Sequence, residues 1–232
     1  REGKFFVIGA GTGASLRPLY AELVRKHKDE GLSFRNVVVF NLYEYYPLTP
    51  ESAGSSYSQL VDLFVGQVDI DKQNVFTIDG TIPQESIMEY CSLYEQRIET
   101  FGGLDILLAG IGFAGNIAMN GAGSQYNSPT RLILIDTNTR AEEAHNLGVD
   151  NLPPCAITMG VSTLLSAKNA YLLAWGDDRA DIIRKAVEEK VNDTVPASYL
   201  QMHAKAKVCV DLAAASHLTR IQRPWLVTNC EW

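Results

Sequence analysis

A single glutamate stands among aromatics in Phe40-Asn-Leu-Tyr-Glu-Tyr-Tyr-Pro-Leu48, directly after a strand-like run. A carboxylate there can serve as a general base if burial raises its pKa. The alternative is a solvated loop acid or a structural hydrogen-bond acceptor. Gly9-Ala-Gly-Thr-Gly-Ala-Ser15 offers different chemistry. Its glycines permit tight turning and close backbone approach. A helix behind it would supply free N–H groups and a positive dipole end, a seat for phosphate. Thr12 and Ser15 add hydroxyl donors. Arg140, in Asp136-Thr-Asn-Thr-Arg140, and Arg179, in Trp175-Gly-Asp-Asp-Arg179, both follow strand-like runs. Two guanidinium groups sharing one ligand edge would suit a phosphate. Taken singly, each is also an ordinary surface charge or ion-pair partner.

Gly110, Gly112 and Gly115 spell G-x-G-x-x-G, and Asp136 lies 21 residues beyond Gly115. A dinucleotide site needs a helix of several turns after the last glycine. Instead Asn116–Pro129 is rich in glycine, asparagine and serine. NAD is therefore rejected at this loop, which offers Asn116, Asn120 and Ser124 but no strong acid, base or nucleophile. Gly9-x-Gly11-x-x-Ala14 is a second version of the fingerprint and keeps a nucleotide-binding module open. There the next strand ends in Phe40-Asn41, where an acid would grip a ribose; Asn41 counts against this version, though Glu44 is close by.

The elements that must position these groups are legible as runs. Phe5–Ile8, Val37–Phe40, Val75–Ile78, Leu104–Ala109, Leu132–Ile135, Ala156–Met159, Ala170–Trp175 and Val208–Val210 have strand length. Several are continuously apolar, the mark of strands covered on both faces. Leu16, Leu19, Tyr20, Leu23 and Val24 recur at helical spacing after Ser15, a candidate N-cap. Similar patterns run through Tyr57–Val65 and Ile87–Ile98, the latter ending at Gly102-Gly103, and another follows Asp177-Asp178. Alternating strands and helices predict an α/β fold: a doubly wound, mostly parallel, Rossmann-like sheet with helices on both faces. Ligands then bind beyond the carboxyl ends of the strands.

The chain has 232 residues, 46% hydrophobic, which suits one domain over residues 1–232. A net charge of -7 argues against a nucleic-acid partner. No apolar stretch is long enough to span a membrane. Cys91, Cys155, Cys209 and Cys230 form no C-x-x-C pair and read as buried reduced thiols, which points to the cytoplasm. His27, His145, His203 and His217 are too scattered for a metal-ligand pair, so no metal and no cofactor is expected. The first residue is not methionine and the last residues lack a polar tail, which predicts a piece of a longer polypeptide.

Together the four loops resemble the glucosamine-6-phosphate deaminase/isomerase family, within a group that includes ribose-5-phosphate isomerase A and 6-phosphogluconolactonase. The likeness extends through Ser33–Asn41, Glu44-Tyr45, Gly110-Ile-Gly112, Ile117-Ala118, Thr139-Arg140, Ala156–Leu165 and Leu200–Ala206. It implies that Gly11, Thr12, Gly13 and Ala14 hold a sugar phosphate, helped by Arg140 and by Arg179 in place of a family lysine. It also implies a changed catalytic half. The family's F-N-M-D-E-Y places its proton-moving aspartate where Tyr43 stands, with Glu44 matching the next acid. The aspartate, histidine and glutamate of G-x-G-x-D-G-H-I-A-F-N-E correspond to Ala114, Asn116 and Gly121. Asparagine cannot shuttle protons near neutral pH, and a phenol titrates near pH ~10. Each positioned acid or base typically supplies about 100- to 10,000-fold. The expectation is a sugar-phosphate-binding domain with a degenerate site. The alternative is an active deaminase or aldose–ketose isomerase that recruits Glu44 as base and His145 or His203 as proton donor. The resemblance leaves room for a homo-oligomer and for a fused second domain of deacetylase type.

Overall fold

The continuously apolar runs become the inner strands of a parallel sheet. The computed structural model describes residues 4–224. In chain order the elements are β1 (Phe6–Ala10), α1 (Arg17–Glu30), β2 (Val37–Asn41), β3 (Tyr43–Tyr46), α2 (Ser56–Leu63), β4 (Val75–Phe76), α3 (Ile87–Thr100) and β5 (Ile106–Gly110). There follow β6 (Arg131–Leu134), α4 (Thr137–Leu147), β7 (Cys155–Thr158), α5 (Val161–Leu165), β8 (Ala170–Ala174), α6 (Ala180–Glu188), β9 (Ala206–Val210) and α7 (Thr219–Gln222).

Six strands form one sheet in the order β4-β2-β1-β5-β8-β9, every pair parallel. The strand order reverses between β1 and β5. Such a switch point opens a crevice at the strands' carboxyl ends. The glycine-rich loops after Ala10 and Gly110 therefore meet there. One face of the sheet packs Tyr20 and Val24 of α1 with Phe34, Leu60 and Phe64. The other packs Cys91, Tyr94 and Ile98 of α3 and Ile182, Ile183 and Ala186 of α6.

Two of the apolar runs leave this sheet. β6 and β7 join β3 in a small antiparallel sheet of order β3-β7-β6. β3 has no apolar run to announce it. Its Tyr43 and Tyr45 are buried by packing, and its register sets Tyr43 opposite Thr158 and Glu44 opposite Ile157.

Two helix starts also differ from expectation. Ser15 caps nothing, because a short 3-10 turn, Ala14–Leu16, leads into α1 with proline in the first turn. Asp136 is the cap of α4, accepting from the backbone N–H of Asn138 (3.1 Å) and Thr139 (3.0 Å). Its spacing from Gly115 is thus explained by a helix start. No helix occurs between β5 and β6, as expected for residues 116–129. Cys91 is buried and free, while Cys155 and Cys209 are free but only half-buried; Cys230 lies outside the described residues. Among the described residues no helix is long and apolar enough to cross a membrane.

Candidate active site

The crevice between β1 and β5 opens into a cavity of about 320 Å³. Two glycine-rich segments line it: Gly11, Gly13, Ala14 and Ser15 from the first loop, and Gly110, Ile111 and Gly112 from the end of β5. Gly112 has to lack a side chain. A Cβ there would sit 2.0 Å from Asn116 Oδ1. Gly115 has φ +80°, and a Cβ would press on Val195 at 2.6 Å. This turn delivers Asn116 to the cavity wall. Asn116 is 5% exposed, its Nδ2 donates to Ala118 O (3.3 Å), and its Oδ1 has no partner. The Nδ2 contact fixes the amide's orientation.

Thr12 does not line the cavity. The residue is 1% exposed, and its hydroxyl is held by Tyr43 Oη (3.2 Å) and Ser56 Oγ (2.9 Å), which removes it as a ligand donor. Ser15 remains at the lining, and its carbonyl accepts from Trp175 Nε1 (2.7 Å), tying the first loop to the segment after β8.

Glu44 has a structural task. Its carboxylate, 2% exposed, accepts from the backbone N–H of Tyr45 (2.9 Å), Ser56 (2.9 Å) and Tyr57 (3.0 Å) and from Ser55 Oγ (2.8 Å). Burial raises its pKa, and those same bonds pull it back. It caps the start of α2 from outside the helix and is absent from the cavity lining. The expected proton donors are elsewhere too. His145 is exposed on α4. His203 is locked in a turn, with Nε2 against Ala167 O (2.7 Å) and Nδ1 accepting from Lys205 N (3.1 Å). Asn41, which stands where the nucleotide alternative needs a ribose-gripping acid, is fully buried; it accepts from Leu42 N and donates to Tyr43 O.

The acids of the cavity come from α4, which the sequence reading treated as a loop. Glu142 and Glu143 line it, with Asn146 one turn on. Arg179 lies opposite. Its Nη2 meets Glu142 Oε1 at 2.9 Å, both side chains mostly buried, and its Cζ sits 3.4 Å from the centre of the Phe113 ring. Arg179 Nη1 is buried without a partner. Glu143 accepts from Tyr45 Oη at 3.2 Å. Burial, then the charge of Glu142, push Glu143 up to about 6, against the pull of Tyr45 and Arg179. Burial likewise raises Tyr43, which lines the cavity and packs edge-on against Tyr45.

Of the residues singled out in the sequence, the cavity gathers Gly11, Gly13, Ala14, Tyr43, Asn116 and Arg179. Arg140 is half-buried on α4 but outside the lining, so the two arginines do not meet as expected. Ala114 and Gly121 border a neighbouring depression with Ser124 and Arg131, where Arg131 Nη2 donates to Ser124 Oγ (3.0 Å). Glu142 and Glu143 were missed. The available signal was the polar stripe Thr139, Glu142, Glu143, Asn146, at helical spacing after the Asp136 cap.

A family model described as glucosamine-6-phosphate isomerases/6-phosphogluconolactonase matches residues 1–209. The chain belongs to this family. A glucosamine-6-phosphate deaminase-like protein of Bacteroides thetaiotaomicron is 57% identical over 233 residues, covering 100% of this chain. The chain spans only 35% of that relative's length. The glucosamine-6-phosphate deaminase of Bacillus velezensis is 36% identical over 210 residues, covering 90% of this chain and 86% of its own. A solved monomeric glucosamine-6-phosphate deaminase superposes with a TM-score of 0.87 at 33% identity, covering 91% of this chain and 88% of its own. A 6-phosphogluconolactonase from Trypanosoma brucei shares the fold, with a TM-score of 0.73 at 17% identity, covering 92% of this chain and 86% of its own. The chain is thus a sugar-phosphate isomerase/deaminase-like domain.

Proposed function

We propose that this domain binds a hexosamine phosphate or similar sugar phosphate in the cavity between β1 and β5, and turns it over weakly or not at all by the family's standard route. The phosphate sits on the Gly11–Ala14 loop. The helix beginning there presents N–H groups and a positive dipole end. Arg179, which lines the cavity, supplies the cation. Arg140, three residues before Glu143 on α4 and outside the lining, would join by a change of rotamer. The sugar ring then lies toward Tyr43, Asn116 and Glu143.

The observation that carries the degenerate-site reading is the position of Glu44. Its four donors leave it no lone pair for a substrate proton, and it faces α2 rather than the cavity. Tyr43 and Asn116, which stand where the resemblance expects an aspartate and a histidine, do line the cavity. Neither exchanges a proton readily near neutral pH.

The test is calorimetric titration with glucosamine 6-phosphate, with ammonia release followed on the same sample. The expected result is saturable binding with turnover at least ~1,000-fold below that of an intact deaminase. Full turnover that Glu44→Gln abolishes would overturn the degenerate-site reading. A melting-temperature rise with NAD or ATP but not with the sugar phosphate would favour a nucleotide instead.

A further inference from the structure

Three carboxylates line the cavity, and they differ in what already holds them. Glu142 accepts from Arg179 Nη2 (2.9 Å) and from the backbone N–H of Phe113 (3.4 Å). Asp178 is 53% exposed. Glu143 is half-buried and held at one oxygen, its Oε2 accepting from Tyr45 Oη at 3.2 Å. Among the described residues no donor reaches its Oε1, and that oxygen is not enclosed by protein. Behind Glu143 runs a file of hydroxyls. Thr12 Oγ1 donates to Tyr43 Oη (3.2 Å), and the Tyr43 and Tyr45 hydroxyls are bonded to each other. The Tyr45 proton is committed to Glu143, so Tyr43 is the donor between the two phenols. Every member therefore passes its donor toward the carboxylate, and burial keeps both phenols protonated. A carboxylate fixed at one oxygen and open at the other is oriented to take a proton from a ligand and return it. Burial, then the charge of Glu142, hold Glu143 at about 6, so it changes protonation close to neutral pH.

We propose that Glu143 is the acid–base residue of this cavity and moves a proton at the carbon next to the carbonyl of an open-chain sugar phosphate. It does so from α4, outside the four positions where the resemblance expects acids and an imidazole. The inference rests on the sugar-phosphate reading and assigns the residue that gives the site its residual chemistry. The Glu143 carboxylate takes the C2 proton. The C2–H electron pair becomes the C1=C2 bond, and the carbonyl pair moves onto O1. Return of the proton to C2 restores the aldose. Its return to C1, with the C2 hydroxyl proton passed to O1, gives the ketose. C1 is then reduced, C2 is oxidised, and no co-reactant is consumed. Glu142 on the same helix favours the protonated form of Glu143. Tyr45 of β3 and Arg179 after β8 favour the charged form, Tyr43 stays neutral, and Asp178 is solvated.

Incubation with glucose 6-phosphate in D2O, followed by NMR, tests this. The wild type should place deuterium at C2 and form fructose 6-phosphate, faster as pH rises through about 6. Glu143→Gln should lower the rate ~100-fold or more while calorimetric titration still shows the ligand bound. The ligand's own phosphate titrates with both proteins, so the pH dependence that disappears in Glu143→Gln belongs to Glu143. Should that variant fail to fold, Glu143→Asp, with the charge drawn back by one methylene, should lower the rate ~10- to 100-fold with binding retained. Ligand bound by the wild type without exchange above the buffer rate, or equal exchange in Glu143→Gln, would overturn this inference and leave the sugar-phosphate reading standing. Absence of binding in the calorimeter would remove both.

Discussion

Two carboxylates, one on β3 and one packed beside it, have opposite fates. Glu44 on β3 is saturated: three backbone N–H groups and one hydroxyl converge on it, and it fastens the start of α2. Glu143 on α4 reaches β3 only through Tyr45 Oη and otherwise faces the cavity. Both are pushed up by burial. Hydrogen bonds to the charged form counteract that push, and Glu44 has far more of them. The number of donors, not burial, separates a structural acid from one available to a ligand.

Breaking the Glu44 corner should have the largest effect. Glu44→Ala would strand buried donors at the head of α2. Unfolding stability should drop by ~3–5 kcal/mol in urea titration. A loss under ~1 kcal/mol would mean that water replaces the carboxylate and the cap is dispensable.

On the cavity side, Glu142→Gln should free Arg179 from its carboxylate. Affinity for inorganic phosphate or a sugar phosphate should then rise ~10-fold, read by calorimetry. Weaker binding would show that Glu142 positions the guanidinium rather than competing for it.

A smaller effect concerns stability alone. Glu143 is held at about 6 against an ordinary 4.5, so the folded state binds its proton more tightly than the unfolded state. Stability then declines as pH rises from about 4.5 to about 6, and the cost is complete above that window. Glu143→Gln removes the charge and keeps an acceptor for Tyr45. It should stabilise the protein by ~1–2 kcal/mol above about pH 6.5 and be neutral below about pH 4.5. A uniform effect across pH would assign the change to packing.

The contrast between the two acids also marks what the sequence can convey. The parallel strands were legible because burial on both faces demands continuous apolar runs, as in Val37–Phe40 and Leu104–Ala109. The floor of the cavity was legible in part, because Gly110 and Gly112 leave the room that the Ser15 and Asn116 side chains take. β3 was not legible, since Tyr43-Glu-Tyr-Tyr46 is held by aromatic packing and pairing with β7 rather than by alternation. α4 was hidden because its buried face is polar: Thr139, Glu142 and Glu143 carry no apolar periodicity. Thr12 and Glu44 were visible as residues but not as partners. Their bonds to Ser56 and to the head of α2 join segments 44 and 12 residues apart, a pairing set by the fold.

The most direct test is a crystal structure of the wild type with glucosamine 6-phosphate. The account predicts the phosphate against Gly13, Ala14 and the Arg179 guanidinium, with the sugar ring toward Tyr43 and Glu143. A phosphate bound at a different surface, or a cavity still empty at saturating ligand, would contradict it.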